Sequence, residues 1–307
     1  MTQLSLIVPV YNEEEMLPVF FKRAEEVLGG RFSYEYIFVN DGSRDNTLNM
    51  LRELAQKYPY VKVISLSRNF GKEAAVTAGL AEVSGEAAVI LDVDLQDPVE
   101  LIPAFWQKYQ QGYENVYGLR SDRSEDTFLK RFTAQTFYKV YNKMADFPLP
   151  YNAGDFRLLS RRAAQAVAAL PERDRFMKGL FSWVGYKSVA VPYRRASRAA
   201  GKSKWNYWQL WNFALGGLTS ATSLPLKLWT YAGVLVALFA FVFALWIAYQ
   251  KLVWGNPVSG YASIMVTILF FSGVQLITLG IIGEYLGRIF TEVKRRPAYL
   301  IDEKINF

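Results

Sequence analysis

The amino-acid sequence predicts an α/β fold, a mostly parallel β-sheet with flanking helices, followed by amphipathic interfacial helices and a C-terminal two-helix transmembrane hairpin. Short apolar segments alternate with helical ones over the first 91 residues, which is the pattern of consecutive β-α units in a parallel sheet. The last quarter of the chain instead contains two long runs without charge, which is typical of membrane-spanning helices. We therefore expect a sheet domain joined to a membrane anchor.

Each element of the predicted sheet domain has its own signal. Apolar runs that stop at polar residues predict strands at residues 4–10, 34–40, 61–67 and 87–91. The segments between them have apolar residues at helical spacing, which predicts helices at residues 13–28, 43–58 and 72–83. Ligands of such sheets bind beyond the carboxyl ends of the strands. The residues found there are Tyr11, Asp41, Arg68 and Asp92.

Two further segments mix aromatic and basic side chains. Residues 127–147 have a helical period with Phe and Tyr among Lys and Arg, and residues 205–213 contain three Trp and one Tyr. Aromatic rings prefer the headgroup level of a bilayer, and basic residues favour its anionic surface. We therefore predict amphipathic helices on the membrane surface, although residues 127–147 also fit an ordinary surface helix packed by its aromatic face.

Two uncharged runs predict the transmembrane hairpin. Residues 228–250 contain no charge, and 23 residues in a helix are long enough to cross a hydrocarbon core of about 30 Å. After Lys251 and a turn signal at residues 255–260, roughly residues 261–283 form the second span. Buried core helices of a soluble protein are the alternative, but two of spanning length are rare in soluble domains.

The flanking charges predict the orientation of the hairpin. Lys and Arg precede the first span and follow the second, while Lys251 alone lies between them, so both ends should be cytoplasmic. This divides the chain into a cytoplasmic domain (1–200), a juxtamembrane loop with an interfacial helix (201–226), the hairpin (227–290) and a cytoplasmic tail (291–307). No basic segment precedes the first strand, so we expect no signal peptide.

The composition limits the chemistry. The chain contains no Cys and no His, which excludes disulfides, zinc sites with the usual ligands, thiol nucleophiles and imidazole-based triads. Acid, base or metal chemistry must therefore use Asp, Glu, Lys, Arg, Tyr or the backbone. The net charge of +7 favours an anionic partner, and nucleic acid, anionic lipid and a phosphorylated substrate all satisfy it.

The segment 87–98, AAVILDVDLQDP, ends an apolar strand on Asp92, Asp94 and Asp97. Asp92 and Asp94 are two residues apart, so on an extended strand they point to the same side and can share one divalent cation. Acidic pairs at strand ends also occur in ordinary solvated loops. The remaining motifs therefore decide how this segment is interpreted.

Three motifs together resemble the inverting family 2 glycosyltransferases, which have the Rossmann-like GT-A fold. They are PVYNEE at 9–14, NDGS at 40–43 and DVD at 92–94, and their order and spacing match over about the first 160 residues. A dinucleotide-binding Rossmann domain is the competing interpretation. It is disfavoured because no G-x-G-x-x-G motif follows the first strand.

Later motifs narrow the resemblance to the polyprenyl-phosphate glycosyltransferases, closest to the bactoprenol (undecaprenyl-phosphate) glucosyltransferases and related to dolichyl-phosphate mannose synthase. These motifs are residues 94–98, 154–159, 198–205 and 283–288, so the resemblance covers nearly the whole chain. No Q-x-x-R-W motif is present, which argues against processive cellulose or chitin synthases. The resemblance implies a multi-pass protein of the bacterial inner membrane and a tetrameric homo-oligomer.

The resemblance also implies a reaction, the inverting transfer of one hexose to undecaprenyl phosphate for modification of an envelope glycan such as O-antigen. The expected donor is UDP-glucose, with a UDP-aminoarabinose derivative or GDP-mannose as alternatives. A non-catalytic membrane subunit that binds nucleotide-sugar is a further alternative. A channel or flippase is disfavoured because two spans without internal charge offer no polar path.

The resemblance assigns charged residues to the donor diphosphate, because the negative charge of the leaving group grows during transfer and must be stabilised by cations. The predicted ligands of Mg²⁺ or Mn²⁺ are Asp92, Asp94 and Gln96, and the predicted diphosphate-binding residues are Arg198, Ser203 and Lys204. Asp94 is also assigned to catalysis. A solvated juxtamembrane basic run is the alternative for residues 198–204.

The remaining roles also follow from the resemblance. The nucleoside is expected to contact Pro9, Tyr11, Glu13, Asp41 and Asp92, with Glu13 at the ribose and Asp41 at the base. For Glu13 the alternative is acidity favoured at a helix N-terminus.

Asp155 is assigned to catalysis, as a group that positions acceptor or sugar or as a mild base. A phosphate monoester acceptor is already largely ionised at neutral pH, so a strong base is not required. A structural ion pair with Arg157 is the alternative for Asp155. Arg120 and Arg131 are predicted to bind the acceptor phosphate.

Overall fold

The structure is a computed structural model that describes residues 2–121, 141–143, 148–173, 175–194 and 260–307, together with separate helical positions between 231 and 253. The chain divides into two compact units. One comprises Met1–Gly217 with Arg296–Phe307, and the other comprises Leu218–Arg295.

Strands and helices alternate along the sheet domain. The strands are β1 (Leu4–Val10), β2 (Tyr34–Asn40), β3 (Val61–Leu66), β4 (Ala87–Ile90), β5 (Asn115–Arg120), β6 (Ala153–Ser160), β7 (Ser188–Tyr193) and β8 (Ile301–Ile305). The helices are α1 (Leu17–Leu28), α2 (Thr47–Lys57), α3 (Lys72–Ala81), α4 (Ile102–Gln110), α5 (Arg161–Ala169), α6 (Met177–Trp183) and α7 (Tyr261–Val293).

The strands form one eight-stranded sheet in the order β7-β5-β6-β4-β1-β2-β3-β8. Strands β1 to β4 pair in parallel, as do β5 and β7, whereas β6 runs antiparallel to β4 and β5, and β8 runs antiparallel to β3. The predicted α/β fold with a mostly parallel sheet is therefore confirmed. The first four strands and the three helices between them lie within a few residues of the predicted bounds.

The first two helices begin four residues later than predicted, because the residues before them form the loops of the candidate site. The carbonyl of Glu13 accepts the N–H groups of Met16 and Leu17, which turns the chain into α1. Before α2, the side chains of Ser43 and Asp45 accept N–H groups from the first loop instead of extending the helix.

Alternation along the strands gives the sheet a hydrophobic core on each face. In β1, Leu4, Leu6 and Val8 contribute to the core beneath α1, α2 and α4, while Ile7 contributes to the core beneath α3, α5 and α6. All four side chains are fully buried, and burial of each such side chain stabilises the fold by about 1.5–3 kcal/mol. A sheet covered on both faces leaves its ends as the places where polar ligands can bind.

Among the described residues, helix α7 is long and apolar enough to span a membrane. The part of it that could span is Phe270–Val293. The helix begins at Tyr261, as predicted for the second span, but continues ten residues beyond residue 283. Glu284 and Arg288 form an ion pair at 3.1 Å within that extension. Most of the first predicted span, at residues 228–250, lies outside the described residues.

The predicted interfacial helices also lie largely outside the described residues. Residues 141–143 are the described part of the segment 127–147, and they are helical. The ring of Tyr141 is fully buried, with its centroid 6.1 Å from that of Phe176. This ring therefore packs inside the sheet domain.

The end of the chain forms the edge strand β8, whereas the sequence predicted only a cytoplasmic tail. Residues 301–305 pair along β3, and the N–H of Ser67 donates to the carbonyl of Leu300 at 2.9 Å. The side-chain amide of Asn306 donates to two backbone carbonyls at the end of α2 and the start of β3. The chain that follows α7 is thus hydrogen bonded into the sheet domain.

A buried carboxylate stabilises the end of the sheet opposite the candidate site. Glu35 accepts hydrogen bonds from the hydroxyls of Ser5 (2.5 Å) and Ser84 (2.7 Å), and it forms an ion pair with Lys62 at 2.8 Å. Burial raises the pKa of Glu35, but the bonds from Lys62, Ser5 and Ser84 outweigh it, so the pKa is below its ordinary value. The charged form of Glu35 therefore stabilises the folded state.

We expect Lys62→Met to lower the free energy of unfolding by about 3 kcal/mol at neutral pH, because one partner of a buried pair is lost. Since the pKa of Glu35 is lowered by folding, this stabilisation is present above the ordinary carboxyl pKa of about 4.3. It is lost as the pH falls through the lower folded value. Unfolding followed by circular dichroism from acid to neutral pH measures both effects.

The matched control is Lys304→Met. Its ammonium lies over the same ring of Phe307 as that of Lys62, at 5.1 and 5.3 Å. Lys304 pairs with Glu82 in a more exposed ion pair, so its loss should amount to about 1 kcal/mol or less. Equal losses in the two variants would contradict the role of the buried pair.

Candidate active site

The candidate site lies where β1 and β4 separate at their carboxyl ends, and we refer to the space beyond these ends as the crevice. Pairing of the two strands ends at Ile7 and Ile90, and the N–H of Leu91 donates the last bond to the carbonyl of Ile7. Residues alternate in the direction of their backbone groups, so Pro9 faces the same side as Ile7, where β4 has already ended. Proline lacks an N–H group, and none is needed at this position. Such switch points are where open α/β sheets bind ligands.

Hydrogen bonds hold the loop after β1 against the loop after β2. The backbone N–H of Asn12 donates to the hydroxyl of Ser43 (3.0 Å), and the side chain of Asn12 accepts the N–H of Arg44 (2.8 Å). The N–H of Glu13 donates to the hydroxyl of Thr47 at 2.9 Å. The first and second motifs therefore form one rigid wall, in which Tyr11 and Glu13 are partly exposed.

The carboxylate of Asp41 fixes the loop between β3 and α3. Its two oxygens accept the N–H groups of Phe70 (2.7 Å) and Gly71 (2.9 Å), and the side chain is almost fully buried. Burial raises the pKa of Asp41, although the two N–H groups and Arg68 act in the opposite direction. Asp41 thus has a structural role that the sequence did not reveal, and its contact with the nucleoside base stays a prediction.

Gly42 allows this loop to come close. Its backbone is left-handed, with φ of +64°, and a Cβ atom there would lie 2.4 Å from the carbonyl carbon of Arg68. A glycine is therefore required after Asp41 both for conformation and for space.

Lys72, the first residue of α3, joins two of the predicted site carboxylates. Its ammonium lies 2.6 Å from Oδ1 and 2.7 Å from Oδ2 of Asp92, and 3.2 Å from Oδ2 of Asp155. Asp92 follows β4 and Asp155 is the third residue of β6, and these strands are antiparallel neighbours. The structure therefore brings Asp92 and Asp155 together, with a lysine that the sequence analysis missed.

Asp155 is ionised, and one of its oxygens has no hydrogen-bond donor among the described residues. Burial raises its pKa, but Lys72, then Lys178 and Arg157, hold the pKa well below the ordinary value. Its Oδ1 atom is buried and has no hydrogen-bond donor among the described residues. The guanidinium of Arg157, the alternative partner, donates to the carbonyl of Gly154 at 2.8 Å. A buried acceptor without a donor is uncommon and suits a ligand hydroxyl or N–H group.

The segment that follows Asp92 has the oxygen atoms expected of a divalent-cation site. Oδ1 of Asp94 accepts the N–H of Gln96 (3.1 Å), and Oε1 of Gln96 is buried with no donor in the described part of the chain. No group of three or more His, Cys, Asp or Glu is arranged as a metal site among those residues. Mg²⁺ usually takes one or two protein carboxylates together with substrate phosphates, so these residues fit such an ion.

Three loops around the crevice contain a non-glycine residue with a left-handed backbone. The φ angles are 53° at Asn12, 55° at Leu95 and 62° at Asn152. Such conformations cost on the order of 1 kcal/mol or more and persist where the surrounding structure enforces them, often at functional sites. Asn12 and Leu95 are next to Glu13 and Gln96, and Asn152 comes just before β6, which contains Asp155; Arg295 and Asn306 have the same conformation elsewhere in the described residues.

Arg120 lies at the end of β5, close to the start of β6. Its Nε donates to the hydroxyl of Tyr193 (3.4 Å), and that hydroxyl donates to the buried carboxylate of Asp97. The guanidinium also lies 3.3 Å from where a Cβ atom would stand on Gly154, so it borders the residue before Asp155. Its role toward an acceptor phosphate stays a prediction. Arg131, Arg198, Ser203 and Lys204 lie outside the described residues.

A cavity of about 200 Å³ borders the start of α3. It is lined by Phe70, Gly71, Glu73, Ala74, Arg173, Arg175 and Ala298. Burial and the charge of Asp155 raise the pKa of Glu73 to about 8, although Lys72 lowers it. Arg175 donates to two carbonyls at the end of α5, and Arg173 donates to the carbonyl of Arg296 at 2.6 Å. Both arginines therefore bind backbone groups of the fold.

The mostly parallel sheet, the carboxylates at its switch point and the apolar helix that follows in the chain agree with two family matches. Residues 5–167 match the model of glycosyl transferase family 2, and residues 224–289 match the model of the GtrB C-terminal hairpin. The chain belongs to glycosyl transferase family 2. The hairpin associates it with the membrane.

Relatives match over nearly the whole chain. The SfII prophage-derived bactoprenol glucosyl transferase of Shigella flexneri is 50% identical over 300 residues, which cover 97% of each chain. An uncharacterized glycosyltransferase of Synechocystis is 49% identical over 302 residues, which cover 98% of this chain and 95% of that one. Among solved structures, a distant match is the glucosyl-3-phosphoglycerate synthase of Mycobacterium tuberculosis in complex with Mn²⁺, UDP-glucose and glycerol 3-phosphate. The sequence identity is 19% and the TM-score is 0.43, and the match covers 70% of this chain and 76% of that one.

We expect Gly42→Ala to weaken binding of UDP, the predicted donor nucleotide, by about tenfold or more. The added methyl group must push away the loop between β3 and α3, which contains Arg68. The N–H group of Phe70, which donates to Asp41, moves with that loop. Tenfold corresponds to about 1.4 kcal/mol. Isothermal titration calorimetry measures this affinity.

Gly30→Ala is the matched control. Gly30 has a similar φ of +72°, but nothing lies within 4 Å of the added Cβ. Both variants should lose about 1–2 kcal/mol of stability from the left-handed backbone, and UDP affinity should fall in Gly42→Ala alone. The same affinity in both would contradict the coupling of this loop to the site.

Proposed function

We propose that the protein transfers glucose from UDP-glucose to undecaprenyl phosphate with inversion at the anomeric carbon, giving a polyprenyl-phosphate sugar for envelope glycan modification. The observation that carries this proposal is the cluster of Lys72, Asp92 and Asp155 at the switch point, with one oxygen of Asp155 lacking a donor. The names of relatives that are 50% identical over 97% of the chain, bactoprenol glucosyl transferases, support glucose as the sugar and the polyprenyl lipid as the acceptor.

In the proposed reaction, a phosphate oxygen of the lipid attacks the anomeric carbon from the face opposite UDP. A new C–O bond forms to the lipid phosphate as the C–O bond to UDP breaks, and UDP leaves with the electron pair. The acceptor is already largely ionised at neutral pH, so little proton transfer is needed. Asp155, whose pKa is held low, is suited to accept a hydrogen bond from the sugar or acceptor rather than to act as an acid.

We infer that the wall formed by Pro9, Tyr11, Glu13 and Asp41 binds the uridine. Tyr11 and Glu13 are partly exposed on the rigid loop after β1, which is compatible with contact to ribose hydroxyls. Asp41 can contact the base by a further lone pair while its oxygens keep the N–H groups of Phe70 and Gly71. Residues Arg198, Ser203 and Lys204 are proposed to bind the diphosphate.

The enzyme is proposed to depend on Mg²⁺ or Mn²⁺. The residues that would hold the ion are Asp92, Asp94 and Gln96, supported by the buried Oε1 atom of Gln96 that lacks a donor among the described residues. When bound, such an ion neutralises negative charge on the diphosphate of the leaving group. Asp94 contributes a carboxylate and orders the loop through the N–H of Gln96.

We further propose that the hairpin crosses the bacterial inner membrane twice and leaves the sheet domain in the cytoplasm. The excess of Lys and Arg outside both predicted spans supports this orientation. A lipid-linked phosphate lies at the headgroup level, where the predicted interfacial helices and Arg120 and Arg131 would meet it. Assembly as a tetramer stays a prediction from the family resemblance.

The first test uses detergent-solubilised protein, undecaprenyl phosphate, Mg²⁺ or Mn²⁺, and a panel of labelled UDP- and GDP-sugars. We expect label from UDP-glucose to enter the lipid phase and UDP to be released in equal amount. Transfer from a UDP-aminoarabinose derivative or GDP-mannose instead would replace the donor but keep the reaction class. UDP binding without transfer from any donor would favour a non-catalytic binding subunit.

We expect Asp94→Asn to reduce transfer about 100-fold or more at a fixed metal concentration, because one anionic ligand is lost. EDTA should abolish transfer by the native protein, and added Mn²⁺ should restore it. The control is Asp302→Asn, an exposed acid on β8, which should retain full transfer. Native transfer that persists in EDTA would refute the metal dependence.

A further inference from the structure

We propose that Lys72 is a positioning residue of the transfer reaction, which holds Oδ2 of Asp155 and the carboxylate of Asp92 so that Oδ1 of Asp155 faces the substrates. This inference rests on the proposed function. It adds a residue on α3 to a site otherwise built from strand ends.

The contacts of Lys72 are those of a bridge between two strands. Three oxygen atoms, two from Asp92 and one from Asp155, lie within 3.2 Å of its ammonium. Side-chain exposure is 28% for Asp92 and 25% for Asp155, so water screens them incompletely. Two carboxylates of like charge at neighbouring strand ends repel each other, and an ammonium between them removes that repulsion.

The bridge also determines which oxygen of Asp155 is available. Oδ2 is engaged by Lys72, while the buried Oδ1 has no donor among the described residues. If the carboxylate were free to rotate, its two oxygens would exchange, and the hydrogen bond to substrate would lose its fixed direction. Groups that are fixed before the reaction stabilise a transition state without reorganisation, which is why such positioning affects turnover.

The position of Lys72 itself is determined by the predicted nucleoside wall. The residue follows Gly71, whose φ is +98° and whose N–H donates to Asp41 at 2.9 Å. Asp41 is proposed to contact the base, so one short segment connects that contact to Asp92 and Asp155. Lys72 therefore joins the donor side of the crevice to the catalytic carboxylate.

A lysine that serves only the fold is also present and provides the comparison. Lys62 forms a 2.8 Å ion pair with the buried Glu35 at the other end of the sheet. In that pair every contact is made within the protein, through Ser5 and Ser84 as well as Lys62. Loss of Lys62 should thus lower stability and leave turnover unchanged.

The chain contains no Cys, so Lys72→Cys introduces a single thiol at a side chain that is 41% exposed. Alkylation with 2-bromoethylamine converts that thiol into an ammonium side chain of nearly lysine length. Iodoacetamide gives a neutral side chain of similar size. The kcat of the same folded preparation is then compared before and after each treatment. Differences in folding between variants therefore do not affect the comparison.

We expect Lys72→Cys to lower kcat for glucose transfer about 100-fold, with KM for UDP-glucose changed about threefold or less. Aminoethylation should restore kcat to within about tenfold of the native value, and the neutral adduct should not. Lys62→Met should retain native kcat with a lower Tm, and the native protein, which has no thiol, should be unaffected by either reagent.

Full kcat in Lys72→Cys, or equal recovery with both reagents, would overturn the inference while the proposed function stands. A fall in Tm that aminoethylation reverses without recovery of kcat would assign Lys72 to the fold alone. Absence of transfer by the native protein from every sugar in the panel would overturn the proposed function, and the role of Lys72 in transfer with it.

Discussion

The antiparallel pairing of β6 with β4 is the constraint on which the site depends. Strand β4 leaves the sheet at the edge where β6 enters it, so Asp92 and Asp155 must lie side by side. In a wholly parallel sheet, two adjacent strands contribute only their carboxyl ends to one edge. Here one strand contributes its beginning, which places Asp155 beside Asp92 at the same end of the sheet. The helix that starts with Lys72 then supplies the charge that makes this arrangement stable.

Both ends of the sheet contain buried side-chain oxygens, but these oxygens differ in their hydrogen-bond donors. At one end, the hydrogen bonds of Glu35 are provided by two serines and Lys62, all within the protein. At the other end, buried oxygens of Gln96 and Asp155 have no donor among the described residues. Satisfied buried groups stabilise a fold, whereas buried groups without partners are retained where a ligand supplies the missing contact. In this respect Gln96 and Asp155 differ from Glu35, whose oxygens are bonded within the protein.

The elements that were predicted correctly from the sequence are those that depend on local patterns of residues. The apolar runs of β1 to β4 and the helical periods of α1 to α3 depend on neighbouring residues, so their bounds were nearly right. The motif carboxylates were placed correctly at strand ends for the same reason. The late start of α1 and α2 was missed because hydrogen bonds between two loops, such as that from Asn12 to Ser43, compete with helix formation.

Features set by distant contacts could not be predicted. Lys72 looks in the sequence like any lysine at a helix start. Only the pairing of β4 with β6, as between Ile90 and Arg157, brings Asp155 to it. Strand β8 is five residues long, and it is positioned by pairing with β3, which lies more than 230 residues earlier in the chain. The roles assigned to Arg131, Arg198, Ser203 and Lys204 remain predictions from the resemblance.

Strand β8 has a consequence for biosynthesis. Until it pairs, β3 is an edge strand whose free backbone groups can pair with other chains. The ribosome makes residues 67–300, which include α7, before β8, so the edge of β3 stays open while α7 is synthesised. A chain stalled at insertion would present that edge to its neighbours, and aggregation or proteolysis would remove it. Pairing of β8 thus closes the edge of β3 only after the residues of α7 have been made.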